Sequence, residues 1–368
     1  GDLSINNATL TETGSANGII IFNKNGAQSF SASSATISNT VNYTITNTST
    51  LLVNSGFPVN TGATLTVDGT LIAAATVTNI GTTNINNIFQ LNDGGWGTGT
   101  GFVYGPAATL VFNTTTNYGV NNDAYWPSSN GPVNVTVQNT GGITMNVART
   151  VTGLFQTAAG VLNGNNLTLN GTVQINAGGY FTNAPVYGPA SLLRYNTGGT
   201  YNRGDEWNAT GVGTIGTTNG YPNDVQVSNN TTINLPNGSA VDRACARDLI
   251  IDNGSALYAD YGGGSVKLFV GRNFDMSGNV SLGSIIGGDM YVRGNFTRNA
   301  GTFNPNGRTV FFDGPSGDQT ITGVTTFDYI EVNKAANNVV LANNIICNLG
   351  LTLASGKIVL GSNDITLL

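Results

Sequence analysis

Asp205 and Glu206, adjacent in the segment NRGDEW at 202–207, are the best carboxylate pair this chain offers for general acid–base chemistry or for holding a cation. The same stretch carries Arg203 and Trp207. A related segment, VNNDAYW at 120–126, keeps Asp123 and Trp126 but has neither the arginine nor the second acid. Acids in a Gly-rich loop most often form a solvated turn, so Asp205 and Glu206 are read as a weak calcium site at best and catalysis is not expected. Beside them stand Tyr118, Tyr125, Trp126, Tyr201, Trp207 and Tyr221, flanked by Asn, Asp and Gly. Such rings, if exposed, would suit sugar stacking or protein contacts; folded back, they would cover hydrophobic surface. They are taken as a contact loop.

Other chemistry is missing from the residue inventory. The chain has no His, which removes the commonest general base and metal ligand. Gly-rich stretches such as GGGSVKLFVGRNF lead into no helix that could cap a phosphate. Net charge is −6 with 13 Lys plus Arg, which leaves no basic footprint for nucleic acid. The triplet Arg203-Gly204-Asp205 arises easily by chance in so Gly-rich a chain. No apolar run approaches the length of a membrane span, and no signal peptide is evident. No cofactor is expected.

The elements that must position these residues are β-strands. Of 368 residues only 9% are charged, while 51 are Gly, about 52 Asn and about 49 Thr. Gly, Asn and Thr are poor helix formers, and 39% hydrophobic residues in short regular bursts argue against disorder. The chain repeats at two scales. VYGPAATLVFNTTTNY (103–118) returns as VYGPASLLRYNTGGTY (186–201), defining duplicated units at about 96–180 and 180–270. Within them runs a finer template: strand, Gly, strand, then Gly again. Gly153 and Gly160, Gly271 and Gly278, Gly294 and Gly301, and Gly350 and Gly356 mark four copies.

A period of 20–25 residues without helices predicts an all-β fold, a right-handed parallel β-helix or β-solenoid. The expectation is one continuous solenoid over 1–368 with roughly 12–15 coils. Two long loops, at about 113–131 and 196–221, are expected to protrude. Seven charged residues precede 194 and 23 of the 32 fall in 194–334, a change of surface rather than of domain. A string of β-sandwiches is the rival architecture. Cys245 and Cys347, lying several coils apart, are expected to be unpaired.

The run from YGPASLLRYNTGGTYNRGDEW through NPNGRTVFFDGPSGDQTITGVTTFDYIEVN to NNVVLANNIICNLGLTLASGKIVLGSNDITL resembles the repeat region of large secreted or cell-surface proteins of Bacteroidota, substrates of type IX secretion. The resemblance covers most of 100–368 and, more loosely, 15–80. It implies an extracellular, cell-surface stalk or scaffold, and the sorting domain of that family is not seen in this sequence. The function expected is therefore a non-catalytic structural or adhesive surface protein, a stalk or filament subunit. Its partners would be itself end to end, or the continuation of a longer chain, together with surface glycans. A carbohydrate-binding β-helix module is the alternative, and a polysaccharide-degrading β-helix enzyme a more distant one.

Overall fold

The computed structural model describes residues 1–14, 18–202, 204–235 and 242–368. The chain is an all-β parallel solenoid of about 16 turns, and among the described residues its one helical piece is a single 3-10 turn at Gly164–Asn166. The count exceeds 12–15, and coil length varies: Leu71 pairs with Phe89 18 residues on, Phe89 with Leu110 21 on, and Leu193 with Val225 32 on. No helix among the described residues is long and apolar enough to cross a membrane.

The chain divides into two compact units, 1–167 and 168–368. In the first, the strands β1 (Thr70–Ala73), β2 (Ile88–Asn92), β3 (Thr109–Asn113), β4 (Asn134–Gln138) and β5 (Phe155–Thr157) lie side by side in parallel register. Alternation decides which face each residue takes. Leu71, Phe89, Leu110, Val135 and Phe155 form one fully buried column through the shaft. The residues after them, Ile72, Gln90, Val111, Thr136 and Gln156, form a row on the opposite, outer face, where Val111 is 7% exposed and the other four are half-buried. In the second unit β6 (Leu268–Val270), β7 (Met290–Val292) and β8 (Thr309–Phe312) stack in the same way.

Corners explain the composition. Among the described residues every non-Gly residue with positive φ is Asn, apart from Ser34, because Asn tolerates the left-handed region better than other side chains. Gly301, at φ 72°, sits one coil above Gly278, and a Cβ there would lie 1.9 Å from the Gly278 carbonyl oxygen. A Cβ on Gly271, Gly278 or Gly294 would meet backbone atoms of the neighbouring coil almost as closely without a positive φ, so close approach between coils is what demands them.

Side chains continue the ladder where backbone pairing lapses. Asp224 Oδ1 accepts the Asp248 N–H at 3.0 Å and Asp248 Oδ1 the Asn273 N–H at 3.1 Å. Asn273 Oδ1 then accepts the Asn295 N–H at 3.0 Å, and Asn295 Oδ1 the Thr320 N–H at 2.9 Å. Each step climbs one coil and satisfies a donor that a turn would otherwise leave to water. Both cysteines are free and buried.

Candidate functional site

The expected loops are shorter than 113–131 and 196–221. Tyr118–Val120 and Thr200–Asn202 are strands, leaving 121–133 and 204–223 irregular. Each irregular segment is tied down from below. The Tyr104 hydroxyl donates to the Tyr125 carbonyl, and the Tyr187 hydroxyl donates to the Glu206 carbonyl at 2.8 Å. Tyr104 and Tyr187 are the tyrosines of the repeated VYGPA, so duplication preserved this pin. The shared contact makes Tyr125 the counterpart of Glu206 and Trp126 that of Trp207.

Beneath this common pin the two loops are held by different side chains, a buried arginine in the first and a buried glutamate in the second. In the first, buried Arg149 donates from Nε to the Trp126 carbonyl at 2.7 Å and from its terminal nitrogens to the carbonyls of Ala148 (2.8 Å) and Asn121 (3.0 Å). Burial lowers the basicity of Arg149 and raises the Asp123 carboxyl above its ordinary value. In the second, Glu206 is fully buried, and its Oε1 accepts from Tyr195, Tyr201 and the Gly204 N–H, each at 3.1 Å. The indole N–H of Trp207 donates to the Ala244 carbonyl at 2.8 Å.

These contacts correct the sequence-based site. Tyr118, Tyr125, Trp126, Tyr201, Trp207 and Tyr221 are all buried, so none offers a face for stacking. Exposed rings would have cost the hydrophobic free energy that packing recovers, about 25 cal/mol per Å². Asp205 and Glu206 also part company. Asp205 accepts from the Asn183 N–H (3.0 Å) and from Asn208 (3.4 Å), while Glu206 turns inward to its tyrosines. No group of three or more His, Cys, Asp or Glu side chains among the described residues is placed to hold a metal. Arg203 lies outside the described residues.

What the sequence reading missed lies on the flat sheet faces. In the first unit an open groove of 580 Å³ crosses β1 to β5 on their outer side. Ile88, Val111 and Leu154 give it aliphatic patches, and Gln90, Gln138 and Gln156 supply amides, with threonine hydroxyls between. No ionisable side chain lines it. Two amides are already oriented: Gln90 Nε2 donates to Asn92 Oδ1 at 2.8 Å, and Gln156 Nε2 donates to Thr136 Oγ1 at 3.0 Å.

In the second unit Phe269, Tyr291 and Phe311, on β6, β7 and β8, form a stack. Their centroids are 4.8 and 4.4 Å apart and their planes 17° and 5° from parallel. Phe269 packs at one end on the cluster of Ala209, Tyr221 and Ala244. The signal for this stack was available, since one ring recurs per coil. Ring faces are spent on one another, so the stack is a packing feature of the sheet exterior.

Comparison with known protein families, with curated proteins and with solved structures returned no match.

Proposed function

We infer that this chain is a non-catalytic structural or adhesive protein of the cell surface, a stalk or filament subunit built from stacked β-coils. The observation that supports this reading is where the polar side chains are used. Asp224, Asp248, Asn273 and Asn295 bind the next coil, as do Asp289 to the Thr309 N–H (2.9 Å) and Asp318 to the Asn338 N–H (2.8 Å). Carboxylates committed to backbone donors are poor proton carriers and good staples. Extracellular placement and export by a type IX route rest on the resemblance of the repeats.

End-to-end association with a second copy, or with more of a longer chain, belongs to the same proposal. The strand Ile345–Val359 pairs along its length with Thr325–Leu341, whereas its pairing on the other side involves only Ile345 to Cys347. Leu349 and Leu353 are exposed along the remainder, an apolar edge that a second copy would cover.

Antibody labelling of intact producing cells, followed by electron microscopy, tests the proposal. Surface label on fibres or stalks is expected; label found only after lysis would contradict it. A second reading, a carbohydrate-binding module, is favoured by the uncharged amide-lined groove of the first unit.

A further inference from the structure

We propose that the groove across β1 to β5 is a binding site for a neutral linear glycan, gripped without cleavage as the adhesive contact of the scaffold. The inference rests on the non-catalytic reading only in taking the ligand to be held intact.

The chemistry of the lining selects the ligand. A groove of 580 Å³ falls within the range of ligand sites, roughly 300–1,000 Å³. Uncharged amides and hydroxyls suit a partner rich in hydroxyls that carries no charge. An anionic polysaccharide would find no cation to pair with, and a basic peptide no carboxylate. The aliphatic patches of Ile88, Val111 and Leu154 alternate with the amides, as the C–H and O–H groups of a sugar chain do. Because Gln90 and Gln156 are each fixed by one hydrogen bond, their remaining amide capacity is presented in a defined direction at little further entropic cost.

Direction argues against a peptide. The groove runs across the strands, and β1 to β4, which floor most of it, are each paired on both sides with their neighbours. An extended peptide gains affinity by adding to an open strand edge, and β1 to β4 offer none. A glycan needs only side chains. The lining row Thr70, Ile88, Thr109, Asn134, Leu154 repeats at the strand spacing of about 4.8 Å, so five coils span about 19 Å, room for a short oligosaccharide.

The test is calorimetric titration of the full chain with neutral hexasaccharides of glucose, xylose and N-acetylglucosamine, with a hexagalacturonate and a short uncharged peptide as competitors. Saturable binding of at least one neutral hexasaccharide is expected. Val111→Arg should weaken it about tenfold or more by placing an unpaired charge against the ligand. Ile250→Arg, on the outer face of the second unit, should leave it unchanged. If Val111→Arg fails to fold, Gln156→Ala decides, with a several-fold loss expected. No neutral hexasaccharide binding, binding indifferent to the groove variants, or preference for hexagalacturonate or peptide would each overturn the proposal. Shortening of the bound sugar, read by mass spectrometry, would overturn the non-catalytic reading and leave the groove standing. Failure to bind would leave the scaffold reading untouched.

Discussion

Asn295 Oδ1 accepts the backbone N–H of Thr320 from the next coil at 2.9 Å, the upper end of an unbroken ladder of side chains that begins at Asp224. Replacing Asn295 with Ala removes the acceptor and is expected to cost about 1 kcal/mol. Asn295→Asp keeps an oxygen in place and should cost less. Urea midpoints of the two variants check this; equal losses would mean that the ladder adds nothing beyond side-chain volume.

Asp248 gives the ladder a pH dependence. Burial pushes its carboxyl upward, but the Arg272 hydrogen bond, the Asn273 N–H and the Arg272 and Arg247 charges outweigh burial and hold it below the ordinary 3.8. A carboxyl lowered by folding contributes stability that is fully present above its unfolded value and is lost as pH falls through its folded one. The wild-type chain should therefore lose stability below about pH 4, and Arg272→Gln should flatten that part of the curve. Denaturant melts at a series of acidic pH values read it directly. An unchanged slope in Arg272→Gln would remove Arg272 from the account.

Glu206 is expected to be the most sensitive loop position. Glu206→Ala removes the buried acceptor shared by the hydroxyls of Tyr195 and Tyr201 and the Gly204 N–H, a loss on the order of 3 kcal/mol. Glu206→Gln keeps an acceptor oxygen and should fall well short of that. Thermal melts distinguish the two. A calcium-dependent rise in melting temperature that disappears in Glu206→Gln would instead restore the metal reading.

The buried rings make a spectroscopic forecast. Trp126 and Trp207 are 0% and 1% exposed and Trp96 is partly buried, so emission should be blue-shifted and resist iodide quenching until the chain unfolds. Free, buried Cys245 and Cys347 should likewise react with a thiol reagent only in denaturant. Ready quenching in the native state would return the loop rings to the surface.

Much of the fold was legible because its strongest constraint is local. Gly271, Gly278, Gly294 and Gly301 announce the coil through a steric demand that only Gly meets, and the alternation in VNYTI over Val41–Ile45 gives its faces. Tyr125, Trp126, Trp207 and Tyr221 do lie in irregular segments, whereas Tyr118 and Tyr201 are on strands, and the buried environment of all six was missed. Whether Trp126 faces water depends on Arg149 and Tyr104, more than twenty residues away in either direction. The groove was invisible for a related reason. Gln90, Val111, Thr136 and Gln156 align only when the register is known, and coil steps from 18 to 25 residues prevent any fixed period from revealing it.

Amide hydrogen exchange tests most directly the central claim, that the polar side chains of this chain are spent on holding coil to coil. The N–H groups of Asp248, Asn273, Asn295 and Thr320 all bond to side-chain oxygens of the coil below. They should exchange as slowly as the strand amides of β6 and β7, and Asn273→Ala should release Asn295 selectively. Exchange of all four at the rate of exposed turns, with no selective effect of the substitution, would contradict the account.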